Sequence, residues 1–329
     1  MNESLPVAII GAGRIGRQHA KWYQAAGCRV VGFLGSSEES VGRTQAALHE
    51  MLGVTIPGYT DFERLISETR PVAVSVCSPH ALHCQHVLQA VDAGVAILCE
   101  KPLAWDEEKP LAEILLDARR MVAAAEKKQV LLAMNAQYVA GLPAYMEWYA
   151  QVRGPLDRPS RYEAVMQSRG RGGGAEYRDI WIDLGSHPLS LIVKWSPGVH
   201  IEPGSIHCVL RRKEVVADFR CVAANGNVCD CSIRLGNVPE GKLERRFGVN
   251  GFLLDYEGRN NPEGVFHTYL SHGDEEREYP DLLLMSIEAF VRAVRGEGEP
   301  LISGAEGLRN LELQVEILEH AVVEQGAAD

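Results

Sequence analysis

From residue 5 to residue 135, short apolar runs alternate with amphipathic stretches of helical spacing. The runs are VAIIG (7–11), RVVGFL (29–34), VAVSVC (72–77), VAILCE (95–100) and VLLAMN (130–135). Helical periodicity fills the gaps at 15–26, 38–52, 61–68, 80–93 and 107–127, with Thr60 and Glu63 spaced as a capping box. Continuous apolar strands are buried on both faces, and strands joined through helices pair in parallel. The pattern predicts a doubly wound α/β parallel sheet.

Past residue 136 the period changes to two, in SRYEAVMQS, SIHCVLRR, VADFRCVAA, VCDCSIRL, RRFGVNGFLLDYEG and VFHTYLS. Strands that follow one another through turns such as ANGN predict a large, mostly antiparallel sheet. Two helical patterns come after it, DLLLMSIEAFVRAVRG and GAEGLRNLELQVEILEHAVVEQG. With 329 residues the chain exceeds the roughly 250–300 that one core holds. The expected division is one domain over 1–135 and a second, α+β domain over 136–329.

Composition narrows the partners. Hydrophobic residues are 46% and charged residues 23% of the chain, as in ordinary globular proteins. A net charge of −11 and a pI near 5.5 argue against nucleic acid or an anionic membrane surface as the main partner, since both need a basic footprint. A small molecule is expected instead. The start, MNESLP, carries an acid where a signal peptide is basic, and no run of about 18 apolar residues suggests a membrane span. A cytoplasmic protein is expected. The eight cysteines read as reduced thiols, and CDC at 229–231 fits strand alternation better than the C-x2-C spacing of a metal site. No metal is expected.

GAGRIG places Gly11, Gly13, Arg14, Ile15 and Gly16 directly after the first strand, at the start of a helix. In that context the glycines allow a tight turn, close approach to a pyrophosphate, and close packing of helix on strand. This is the fingerprint of a Rossmann dinucleotide site. The acid that binds a ribose in NAD sites is expected about 20 residues on, where the second strand ends in LGSSEES. Gly35 occupies that position, followed by Ser36 and Ser37. These hydroxyls, with Arg14 or Arg43, suit a 2′-phosphate, so NADP(H) is favoured over NAD(H). Glu38 remains the candidate acid if the strand runs further.

The fourth apolar run ends in Glu100-Lys101-Pro102, and DLGSH places Asp183 and His187 four apart, on one face if helical. A histidine titrates near neutrality, an aspartate orients it, and an ammonium stabilises a developing alkoxide. The three suit proton movement coupled to hydride transfer.

GAGRIG, SPHALH…GVAILCEKPLA and DLGSH, in this order, resemble the glucose–fructose oxidoreductase/inositol dehydrogenase family, Gfo/Idh/MocA. The resemblance implies an NAD(P)-dependent oxidoreductase acting on a sugar, cyclitol or related polyol. By it, Lys101 reaches the nicotinamide and the substrate oxygen, Pro102 is cis, and Glu100 steadies Lys101 or the cofactor. His187 is the expected acid/base and Asp183 its partner. Ser78, Pro79 and His83 fall near the nicotinamide, with Asn135 at the sixth strand's end and Tyr138 and Arg178 as further substrate contacts. Ser190 stands where the family often has an acid, and His80 where asparagine is common. A homodimer or homotetramer is implied as well. The loop SRGRGGGAEYRD suggests a basic lid, which would favour a substrate bearing carboxylate or phosphate. The alternatives are a relative that cleaves glycosidic bonds with a retained cofactor and a non-catalytic NADP(H) sensor. Histidines 19, 49, 86, 200, 207, 267, 272 and 320 receive no role.

Overall fold

A computed structural model describes residues 4–169 and 177–324, the side chain of Tyr177 excepted. The chain divides into two compact units, 1–136 with 283–308, and 137–282 with 309–329.

In the first unit, strands and helices alternate. They are β1 (Pro6–Ile10), α1 (Arg14–Ala25), β2 (Arg29–Leu34), α2 (Glu38–Leu52), β3 (Gly58–Tyr59), α3 (Phe62–Thr69), β4 (Ala73–Val76), α4 (His83–Asp92), β5 (Ala96–Glu100), α5 (Leu111–Lys128) and β6 (Leu132–Asn135). All pairs are parallel, in the order β3-β2-β1-β4-β5-β6. This is the doubly wound sheet expected. The short β3 lacks enough residues to show a period. The cap of α3 falls one residue later than expected: Asp61 accepts from the Arg64 N–H at 2.7 Å, while Thr60 donates to Glu38 at 3.0 Å.

The second unit holds α6 (Leu142–Arg153), β7 (Arg161–Ser168), α7 (Tyr177–Trp195), β8 (His200–Ile201), β9 (His207–Arg211), β10 (Glu214–Val222), β11 (Val228–Asn237), β12 (Arg245–Val249), β13 (Phe252–Asn260), β14 (Phe266–His272) and β15 (Glu275–Pro280). Two helices and a strand follow, α8 (Leu282–Val294), α9 (Gly304–Glu319) and β16 (Ala321–Val323). The sheet runs β15-β14-β13-β12-β7-β11-β10-β9-β16, with β8 beside β10. Among the described residues, only β7·β11 and β9·β16 pair in parallel in this sheet. Helix α7 packs on β7, β9, β10 and β11. Cys229 and Cys231 alternate with exposed Asp230 on β11, both thiols facing the core.

The division differs from the sequence reading at one segment. Residues 283–308, expected in the second domain, belong to the first unit. The cause is the apolar stripe of α8: Leu283, Ile287, Phe290 and Val291, spaced for one helical face, are buried in the same core cluster as Val7, Ile9, Trp22 and Leu98.

Candidate functional site

In the first unit the chain winds outward in opposite directions from β1 and β4, so the topological switch point lies between them. Open α/β sheets hold ligands outside the carboxyl ends of the strands at such a point. Gly11 ends β1 there with φ +86°, and a Cβ on it would lie 2.6 Å from the backbone of Ser78 at the end of β4. Gly16 has no room either, because a Cβ would strike the Gly11 carbonyl. Gly13 is different: nothing lies within 4 Å of where its Cβ would stand. The opening of α1 has no side-chain cap and no acid in its first turn, while Arg14 and Ile15 are exposed. Free amides at a helix N-terminus beside an open glycine suit a pyrophosphate. A discriminating expectation follows. Gly13→Ala keeps the wild-type melting temperature but weakens NADPH binding by about tenfold or more, roughly 1.4 kcal/mol, whereas Gly16→Ala loses stability as well. Unchanged affinity in a well-folded Gly13→Ala would refute the cradle.

Strand β2 ends at Leu34, so Gly35 does hold the position after it. Ser37 is spent on capping α2, accepting from the Ser40 N–H, while Ser36 is exposed. Arg43 forms an ion pair with Glu39, and Glu38 opens α2 and accepts from Thr60.

At the end of β5 the Lys101–Pro102 peptide is cis. His83, expected beside the cofactor, is fully buried and braces two turns. Its ring nitrogens lie 3.0 Å from the carbonyls of Pro102 and Ser78, spanning the turns that follow β5 and β4. Burial holds its pKa below the usual histidine value, so the neutral ring donates to one carbonyl at a time. Ser78 is buried too, its hydroxyl 2.9 Å from His86 Nδ1, while Pro79 is exposed.

Glu100, expected to steady Lys101 or the cofactor, is 7% exposed and bonded within the unit. Its Oε1 accepts from His19 Nε2 at 2.8 Å and from the Asn135 amide, and its Oε2 accepts from the Lys101 N–H at 3.3 Å. Asn135, at the end of β6, accepts from Ser286 of α8 at 2.8 Å. His19 was missed in the sequence because a lone histidine on an amphipathic helix carries no partner signal; its partner lies 81 residues away.

In the second unit α7 is helical through Asp183 and His187, which places both half-buried side chains on one face. The buried Tyr138 ring meets His187 edge-on at 4.8 Å and Tyr256 at 4.9 Å. Arg178 is exposed. Ser190 serves the packing of α7 on α9, donating to the Ser186 carbonyl at 2.7 Å and accepting from Asn310 at 3.0 Å. Residues 170–176 of the expected basic lid lie outside the described residues.

Residues 5–136 match the model of an oxidoreductase family with an NAD-binding Rossmann fold, Gfo/Idh/MocA. The chain is 26% identical over 353 aligned positions to 1,5-anhydro-D-fructose reductase of Ensifer adhaerens, 97% of each chain being covered. Over 132 residues, 40% of this chain and 34% of the relative, it is 31% identical to D-glucoside 3-dehydrogenase of Escherichia coli. The fold matches UDP-N-acetylglucosamine 3-dehydrogenase of Acidithiobacillus ferrooxidans with a TM-score of 0.70 and 20% identity, covering 96% and 97% of the two chains. It also matches a 3-ketoreductase of Actinomadura kijaniata solved with NADP and TDP-benzene, with a TM-score of 0.69, 18% identity and coverage of 98% and 99%. Residues 5–136, which carry the glycine cradle and the Glu-Lys-Pro strand end, thus match the NAD-binding Rossmann domain of the Gfo/Idh/MocA family, and the chain is an oxidoreductase.

Proposed function

We propose that the chain interconverts a secondary alcohol and a ketone on a sugar, cyclitol or related polyol, with NADP(H) as the partner in hydride transfer. The observation that carries this reading is the set of features at the carboxyl ends of neighbouring strands. The glycine cradle follows β1, the Ser78 turn follows β4, and Lys101 follows β5. A bound nicotinamide dinucleotide would supply or accept the hydride. Lys101 polarises the substrate oxygen and stabilises developing alkoxide charge. His187 gives a proton to that oxygen on reduction or takes one on oxidation, and Asp183, one turn earlier, orients it. The relatives named for anhydrofructose, glucosides and inositol support a polyhydroxylated substrate.

The preference for NADP(H) rests on the end of β2, where Gly35 brings no carboxylate and exposed Ser36 lies in the same unit as exposed Arg14. The test is calorimetric titration of NADPH and NADH into wild type and Ser36→Asp. Gly35→Asp is the poorer probe, since a Cβ there would press to 2.8 Å from Val41 Cγ2. Wild type is expected to bind NADPH about tenfold or more tighter than NADH, and the aspartate to reverse the order. Preference for NADH in wild type overturns the cofactor assignment. Reduction of 1,5-anhydro-D-fructose and of keto-inositols is then followed by loss of NADPH absorbance. Cofactor binding without turnover of any such ketone would shift the reading to another substrate class.

A further inference from the structure

Beneath the glycine cradle lies a buried polar cluster for which hydride transfer supplies no chemical task. His19 projects from α1 one turn past Gly16, and its ring has no solvent exposure. Nδ1 lies 2.7 Å from Ser75 Oγ on β4, and Nε2 lies 2.8 Å from Glu100 Oε1 at the end of β5. Glu100 also receives the Asn135 amide from β6 and the N–H of Lys101. One side chain on the nucleotide-binding helix thus reaches two strand ends, and its carboxylate partner holds the backbone of Lys101.

We infer that His19 is a positioning residue whose pairing with Glu100 ties the dinucleotide-binding helix to the strand end that carries Lys101, so that cofactor and ammonium are set in place together. This inference rests on the dinucleotide reading above.

The groups that face His19 fix its charge. They are Tyr23 on α1, Ser75 and Cys77 from β4, Glu100 and the adjoining Lys101 from β5, and Asn135 from β6. Burial opposes a charge on His19, but Cys77 and Glu100 raise its pKa to about 10. Burial also pushes the Cys77 thiol up, against the opposing pull of His19. Burial opposes the Glu100 charge in turn, and the His19 hydrogen bond and charge, the Asn135 amide and the Lys101 charge together outweigh it, bringing its pKa down to about 2. A buried charged pair is confined to a narrow geometry, whereas a lysine backbone after a strand has many.

The test is amide hydrogen exchange of the full chain with and without NADPH, read by mass spectrometry. In wild type, NADPH is expected to slow exchange both in the first turns of α1 and in peptides covering 97–104. The His19→Gln/Glu100→Gln double variant removes both charges together. It is expected to keep protection on α1 while protection of 97–104 drops about tenfold. Equal protection of both segments in the variant overturns the inference alone, leaving His19 a packing residue. Failure of wild type to bind either NADPH or NADH sinks the dinucleotide reading and the inference with it. A second measurement needs no variant that folds. Nitrogen-15 spectra of histidine-labelled wild type at pH 8 are expected to show one imidazole carrying both N–H protons. A set of rings all neutral at that pH overturns the pairing.

Discussion

Lys101→Met is expected to lower kcat by about 10²–10³ while leaving NADPH affinity within about threefold of wild type. The size follows from the task proposed for the ammonium. It carries charge that develops on the substrate oxygen only as hydride moves, so its loss raises the barrier and leaves the ground state nearly untouched. Methionine keeps most of the length and the apolar stem of lysine and removes the ammonium, its charge and its donors together. His187→Gln is expected to cost about 10²–10⁴ in kcat, the range of a positioned proton donor or acceptor. The two losses should combine to less than their product, because both groups are assigned to the same oxygen. The check is stopped-flow or steady-state loss of NADPH absorbance with the best ketone from the screen, beside calorimetry of NADPH alone. A Lys101→Met enzyme within about threefold of wild-type kcat would remove the lysine from the chemistry. A parallel collapse of NADPH affinity would make it a cofactor ligand instead.

Much of the first unit could be read from the sequence because β1, β4, β5 and β6 are buried on both sides. The runs ending at Leu34 and Glu100 are uniform apolar segments between Gly and Pro punctuation, and β2 and β5 end where those runs do. The second unit hid more. Helix α6 reads LPAYMEWYAQVR, yet Tyr145, Trp148 and Tyr149 are buried at helical spacing, a signal visible in the sequence and overlooked among strands. Strand β15, EEREYP, is an edge strand whose charged residues show no apolar face at all. Helix α8 displayed its apolar stripe plainly, but a stripe does not name its partner, and its partner is a core built from side chains between Val7 and Ala133. The candidate site divides in the same way. Gly11, Gly13 and Gly16 announce themselves by spacing, because the turn they permit is local. His83 and Glu100 stood out as motif members, but their inward orientation depends on long-range neighbours, the Pro102 carbonyl and His19. Ser190 shows the converse: a polar residue in a family motif position that here satisfies Ser186 and Asn310.

His19→Gln alone is expected to be the most destabilising of the substitutions considered, by about 3–5 kcal/mol, which is roughly 10 °C in melting temperature for a domain of this size. Glutamine keeps a donor for Glu100 but no charge, so the buried carboxylate loses its His19 countercharge at neutral pH. Adding Glu100→Gln should recover most of the loss, since two neutral amides leave no charge unpaired. The pH dependence carries the same signature with a definite sign. The Glu100 pKa is lowered from 4.5 to about 2, so its contribution to stability is complete above 4.5 and is lost as pH falls toward 2. The His19 pKa is raised from 6.5 to about 10, so its contribution is complete below 6.5 and is lost as pH climbs toward 10. Wild type should therefore be most stable through the weakly acidic range and decline on either side. The double variant should lose both slopes, flattening the profile between pH 6.5 and 10 in particular. Thermal melts of wild type, both single variants and the double variant across this range provide the measurement. A His19→Gln protein that melts within about 2 °C of wild type and declines as steeply at alkaline pH would mean that the ring is neutral in the native state.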